Sequence, residues 1–385
     1  MKIAILVVSK ECDGVYVLGV SQAAIFAELG HEVTLFVLND SDLLTTKSQV
    51  KVEFLKFLPG LSPRKNWWVH LFNILPPPLR LPFIYRCVRP ISSFEAVIAY
   101  DNIVSWIGYY AKKFYGLKYI YFAEGWPFSD LTGHIYRRVH KCLWNYWVGK
   151  SCSNADLVAT ESNTLGEVLN QRLGVESIVT GSLIDLSLFN PSADGKRVRS
   201  LYGLSDDPLI LFVDHLSPIK GIEILIGAFN LVLKSIPSAR LMLIGKCSSR
   251  SYWERIQRQC NKSVILVDYV PHGELPAFYA ASTIFATCAL WEEGCSHTIA
   301  EAQACGKSVV AFKLQPHEEV VKDNETGILV HKVGDAQEFG SAMLKLLSDQ
   351  SLTNTLGRNA ADRASYLTKT AASNLQNLMD KIKSI

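Results

Sequence analysis

Ile3-Ala4-Ile5-Leu6-Val7-Val8, then Cys12-Asp13-Gly14-Val15, then Val33-Thr34-Leu35-Phe36-Val37-Leu38 form the frame of the first 38 residues. The outer two runs are short, apolar and rich in β-branched residues, as strands buried on both faces are. Between them, residues 21–29 have amphipathic helical spacing and stop at Gly30. Strand, glycine-bearing loop, helix and strand make a βαβ unit, which predicts a parallel sheet with helices on its faces. The strand pattern recurs at 52–55, 96–99, 119–122, 157–160 and 177–179.

A second series starts after about residue 205. Strands are predicted at 209–213, 240–244, 264–267, 284–287 and 308–312, with helices at 221–233, 252–260, 275–281 and 298–304. It ends near Val330, and helices at 336–347 and 352–367 follow. Residues 185–208, rich in Ser, Asp, Pro and Gly, read as a linker. The predicted fold class is α/β, with two doubly wound Rossmann-like domains, 1–190 and 191–385, facing a central cleft. The C-terminal helices are then available to pack back on the N-terminal domain. Open parallel sheets bind ligands at the carboxyl ends of their strands, where the strand order reverses.

Composition narrows the class. Of 385 residues, 49% are hydrophobic and 19% charged, which excludes a disordered or fibrous chain. Nine cysteines, an odd number without a C-x-x-C pair, argue against a disulfide framework or a zinc site and for free thiols in a reducing cytoplasm. The longest uncharged stretch, 275–291, contains Pro276 and many small residues, so no membrane span is predicted. The first apolar run is too short for a signal peptide. The histidines are dispersed without metal-ligand spacing, and no metal is expected.

Trp291-Glu292-Glu293-Gly294-Cys295-Ser296-His297-Thr298-Ile299-Ala300-Glu301 and then Ala302-Gln303-Ala304-Cys305-Gly306 carry the chemistry. Glu293 and Glu301 flank a loop of small residues that opens a helix. Backbone N–H groups and the dipole at a helix start suit a phosphate or diphosphate. Carboxylates beside it accept hydrogen bonds from sugar hydroxyls. One loop thus suits both ends of a nucleotide sugar; the plainer reading is a solvated helix start with two unrelated acids.

From Glu293 to Gly306, followed by Ser308-Val309-Val310-Ala311, the chain resembles the E-G-x6-E-A-x-A-x-G signature of retaining glycosyltransferases of family 4, which have the two-domain GT-B architecture. The resemblance implies an N-terminal acceptor domain and a C-terminal nucleotide-sugar domain. It implies that Glu293 contacts the donor sugar and that Glu301 holds the ribose, with Gly294, Cys295, Ser296, His297 and Thr298 forming the donor loop. His297 is also readable as a solvent-facing helix start. Phe212-Val213-Asp214-His215-Leu216-Ser217-Pro218-Ile219-Lys220-Gly221 matches the segment whose arginine and lysine clasp the donor diphosphate. Lys220 keeps the lysine, while His215 stands at the arginine position, either as a weaker, pH-dependent donor or as a turn residue. Gly14 lies where the family has two adjacent glycines, either admitting the donor phosphate or serving only the turn. Glu124 follows the strand after which the family often places a histidine. It is read as a third catalytic group beside Glu293 and Lys220, or as an ordinary loop acid. Residues 319–327 match the segment before the last strand, with Gln315-Pro316 replacing the usual glycine pair, and Gly30-His31-Glu32-Val33 matches a structural turn. No cofactor is implied beyond a UDP- or GDP-sugar donor.

The formal net charge of +3 argues against a nucleic-acid partner but hides an asymmetry. Residues 54–155 hold 13 basic and 4 acidic residues, a net +9; the remainder carries −6. The basic region also has six of the eight tryptophans. Cations mixed with Trp and Tyr suit an anionic membrane surface, unless the aromatics are simply core. The expectation is a cytoplasmic enzyme, peripheral at the inner face of the membrane, acting on a glycan or lipid-linked acceptor in polysaccharide or glycolipid assembly. The alternatives are an epimerase or phosphorylase of the same fold, or a non-enzymatic sugar-nucleotide-binding protein.

Overall fold

The computed structural model describes residues 1–8, 14–38, 50–55, 81–125, 135–247, 249–291 and 294–385. Among these residues, thirteen strands form two parallel sheets. In the first, β1 (Lys2–Val7), β2 (Glu32–Val37), β3 (Lys51–Phe54), β4 (Ala96–Tyr100), β5 (Lys118–Ala123), β6 (Leu157–Thr160) and β7 (Ile178–Val179) lie in the order β3-β2-β1-β4-β5-β6-β7. In the second, β8 (Leu209–Val213), β9 (Arg240–Ile244), β10 (Val264–Val267), β11 (Ile284–Thr287), β12 (Val309–Phe312) and β13 (Gly327–Val330) lie in the order β10-β9-β8-β11-β12-β13. Both are doubly wound and share one reversal: the chain leaves the first strand in one direction and returns to its other side. Ile3 is in register with Val33 on one side and Ala96 on the other. Ile210 likewise meets Leu241 and Ile284.

The chain divides into two compact units. Met1–Leu183 with Thr370–Ile385 make one, and Ile184–Lys369 the other. In each, alternate residues of a strand enter different clusters. Ile3, Ile5 and Val7 join one face of the first sheet, and Ala4, Leu6 and Val8 the other. Leu209, Leu211 and Val213 separate in the same way from Ile210 and Phe212. This two-sided burial explains why the strands read as unbroken apolar runs.

Two segments differ from the reading by composition. Residues 185–208 contain the helix Lys196–Leu201, and Phe189, Val198 and Leu204 are buried in a cluster of the second unit. The Asp and Asn side chains there fold turns, as when Asn190 accepts from the Ser192 N–H at 3.1 Å, so turn chemistry rather than flexibility accounts for the composition. The last helix runs from Gln350 to Ser384, well past residue 367. Its final part presents Leu375, Leu378, Met379 and Ile382, all buried on one face of the first sheet. The Lys118 ammonium donates to the Ile382 carbonyl at 2.9 Å near its end.

The cysteines described are free thiols. Burial pushes Cys87, Cys152 and Cys305 up to about 12. No helix among the described residues is long and apolar enough to cross a membrane. Leu378→Ala should cost about 3 kcal/mol, since it opens a cavity under a fully buried side chain. Urea unfolding measures this, and an unchanged midpoint would contradict the packing of the last helix on the first sheet.

Candidate functional site

The reversal point of the second sheet lies between β8 and β11. After β8, Asp214 organises the loop. One carboxylate oxygen accepts the His215 backbone N–H at 2.6 Å, and the other pairs with the Lys220 ammonium at 2.6 Å. Both acidic and basic side chains are largely buried, and the His215 ring is exposed. Lys220 ends a 3-10 turn, Pro218–Lys220, and Gly221 follows at φ 65°. A Cβ on Gly221 would lie 2.1 Å from the Cys288 carbonyl oxygen, so only glycine lets this loop approach the one after β11. Gly245, at the end of β9, is similarly close to Asp214: a Cβ there would lie 1.8 Å from its carbonyl. The Leu290 N–H donates to the Ile219 carbonyl at 2.8 Å and ties the two loops together.

Beyond β11, Glu293 lies outside the described residues. Gly294, Cys295 and Ser296 turn the chain into the helix His297–Ala304. The Ser296 carbonyl accepts from the Ile299 and Ala300 N–H groups. Ser296 makes no side-chain cap, and no acid stands in the first turn, so neither offsets the positive end of the helix dipole. His297 and Thr298 are half-buried at this start.

Glu301 sits one turn further on and is 6% exposed. One carboxylate oxygen lies 2.7 Å from His272 Nε2; the other accepts from the Tyr279 hydroxyl at 2.9 Å. Tyr279 is fully buried, and burial, then the Glu301 charge, raises its phenol well above the ordinary range, so it stays a donor. Phe189 packs 5.0 Å from the His272 ring. His272, Tyr279 and Asp214 were not singled out in the sequence. His272 is 29 residues from Glu301, a separation that no local motif encodes. An acid at a strand end six residues before Lys220 was the one available signal for Asp214.

The remaining candidates belong to the first unit. Gly14 begins the helix Gly14–Glu28 after β1, and Glu124 follows β5. Glu124 is half-buried near Tyr100, whose phenol is raised by burial first and then by the charges of Glu124 and Glu161. The Tyr100 hydroxyl donates to Gln22. The structure thus gathers His215, Lys220, residues 294–298 and Glu301 at one pole of the second sheet, and Gly14 and Glu124 at the carboxyl ends of first-sheet strands. Among the described residues no group of His, Cys, Asp or Glu is arranged to hold a metal ion.

Gly221→Ala forces alanine into a left-handed backbone and against Cys288. It should destabilise the second unit by about 2 kcal/mol or more. Urea unfolding is the measurement, and an unaltered midpoint would refute the close approach.

Residues 199–363 match the family model of glycosyl transferases group 1. The chain is 31% identical over 186 residues to the GDP-mannose-dependent alpha-(1-6)-phosphatidylinositol monomannoside mannosyltransferase of Mycolicibacterium smegmatis, covering 45% of this chain and 48% of that one. The chain spans about half the length of the curated relatives it matches. Among solved structures, sucrose-phosphate synthase from Thermosynechococcus elongatus superimposes with a TM-score of 0.80 at 19% identity, covering 100% of this chain and 99% of that one. HepE of Anabaena, in complex with UDP and glucose, gives 0.79 at 21%, covering all of both chains. The chain has the GT-B fold of these glycosyltransferases, and its residues 199–363 carry the match to glycosyl transferases group 1.

Proposed function

We propose that the chain is a retaining glycosyltransferase. It moves a sugar from a UDP- or GDP-linked donor to a glycan or lipid-linked acceptor in cell-surface polysaccharide or glycolipid assembly. One observation carries this reading: a lysine, a helix start with no acid in its first turn and an oriented carboxylate lie where the second sheet reverses its order. Those three suit the diphosphate and ribose of a nucleotide sugar. The UDP in the HepE structure and the GDP-mannose in the name of the mycobacterial relative support the same class of donor.

In this reading Lys220, aimed by Asp214, meets the diphosphate, with His215 as a second, titratable donor. Residues 294–298 surround the phosphates, Glu293 contacts the donor sugar and Glu301 holds the ribose. In the first unit, Gly14 admits the donor phosphate and Glu124 acts at the acceptor side. The acceptor hydroxyl attacks the anomeric carbon on the face the phosphate leaves. The bond from carbon to phosphate oxygen breaks, the new glycosidic bond forms, and the hydroxyl proton passes to the departing phosphate. The chain contributes alignment and charge stabilisation. Incubation with a panel of UDP-, GDP- and ADP-sugars should give hydrolysis or transfer with one of them, and NMR should show the anomeric configuration kept. Glu301→Gln should weaken donor binding about tenfold, the value of a hydrogen bond to a charged acceptor. Silence across the panel, or an inverted product, would sink the proposal.

The acceptor side is read from the helix Ile135–Ser153. Val139, Leu143 and Tyr146 are exposed by 50%, 45% and 59%. With exposed Lys150 they repeat at helical spacing along one stripe, and exposed Arg138 adjoins it. Apolar and basic residues on one helical face support attachment to an anionic membrane surface, at the inner face of the cytoplasmic membrane. The protein should float with anionic liposomes at low salt. It should dissociate as salt rises, and Leu143→Glu with Tyr146→Glu should weaken flotation. Failure to float with anionic vesicles at low salt would remove the membrane from the proposal.

A further inference from the structure

A polar cavity of about 300 Å³ lies at the other pole of the second sheet, at the amino ends of β11 and β12. That volume is at the lower end of the range for ligand pockets. It is lined by Arg199 of the helix Lys196–Leu201, by Lys307 ahead of β12, and by Gln350, Thr353 and Asn354 near the start of the last helix.

Its cations face neutral partners. The Lys307 ammonium donates to the carbonyls of Ala280 at 3.1 Å and Ser282 at 2.9 Å. Arg199 donates through one terminal nitrogen to the carbonyls of Ser205 at 2.8 Å and Asp207 at 3.1 Å. Neither is in ion-pair contact with a carboxylate among the described residues. Asp206 is the one acid in the lining, and it is exposed. Burial lowers the Lys307 pKa, and the like charge of Arg199 adds to the effect. The start of the last helix adds nothing to this, because the Asp349 carboxylate accepts the Leu352 N–H at 2.9 Å and offsets the positive end of the helix. Two cations that repel each other across a small polar cavity are a receptor for an anion with several oxygens, which can bridge them with charge-assisted hydrogen bonds.

We propose that this cavity is a binding site for a phosphate-type oxyanion, free or borne by a small molecule, held between Arg199 and Lys307 and separate from the loops after β8 and β11. Calorimetric titration of the full chain with inorganic phosphate and with pyrophosphate, at constant chloride, tests it. Saturable binding is expected, retained in Lys220→Ala and weakened about tenfold or more in Arg199→Gln. Asn354→Asp is the second variant: Asn354 is exposed, and an aspartate keeps its size and the oxygen that accepts from Gln350, so the chain folds, yet the change places a negative charge at the cavity. It too should weaken binding, with an unchanged thermal melt. Absence of saturable binding at millimolar anion, affinity unaltered in both cavity variants, or binding lost in Lys220→Ala would each overturn the site. The last outcome would assign the anion to the β8 and β11 loops.

Discussion

A parallel sheet covered by helices on both faces leaves polar chemistry only at the ends of its strands. Every strand in each sheet of this chain points the same way, so one pole collects the loops that follow strands and the other those that precede them. The core clusters on both faces of the second sheet exclude water from the strands themselves. The charged groups of interest accordingly sit at its two poles: Asp214, Lys220 and Glu301 at one, Arg199 and Lys307 at the other. The order reversal between β8 and β11 then decides which loops meet. Two glycines, Gly221 and Gly245, let neighbouring strand ends come closer than any side chain would allow.

Glu301 is the costliest group in this arrangement, since a carboxylate withdrawn from water must be hydrogen-bonded to be tolerated. His272 and Tyr279 take one oxygen each. A carboxylate oxygen has two lone pairs, so each retains acceptor capacity after that contact. The partners therefore fix the orientation of Glu301 without exhausting it. Because Tyr279 also reaches the Thr298 carbonyl at 3.3 Å, the helix start and the carboxylate are positioned by the same phenol.

Much of this was legible in the sequence for a physical reason. Strands buried on both faces must be apolar throughout, so β1, β2 and β8 stand out as runs, and the restart of the βα rhythm marks the second unit. Lys220 and Glu301 came to notice through the resemblance, whose motifs hold each at a fixed distance from a strand end. What stayed hidden is tertiary. Asp214, His272 and Tyr279 act through partners that the fold brings to them. The final helix was read short because the second half of it, from Thr368 on, is mostly polar and small, with buried positions spaced along one narrow stripe. Residues 185–208 looked like a linker because turn-forming side chains outnumber the three apolar anchors.

Residues 370–385 belong to the first unit, although the second unit lies between them and the rest of it in sequence. That gives the chain a temporal order during synthesis. The ribosome delivers the first unit's strands before the second unit, yet a share of the cover for one face of that sheet follows the whole of the second unit. The second unit is continuous in sequence and can close around its own core while the first still waits with that face partly bare. Domains commonly fold in order of emergence; here the unit that emerges earlier is completed after the later one, and part of its apolar face waits for residues 370–385.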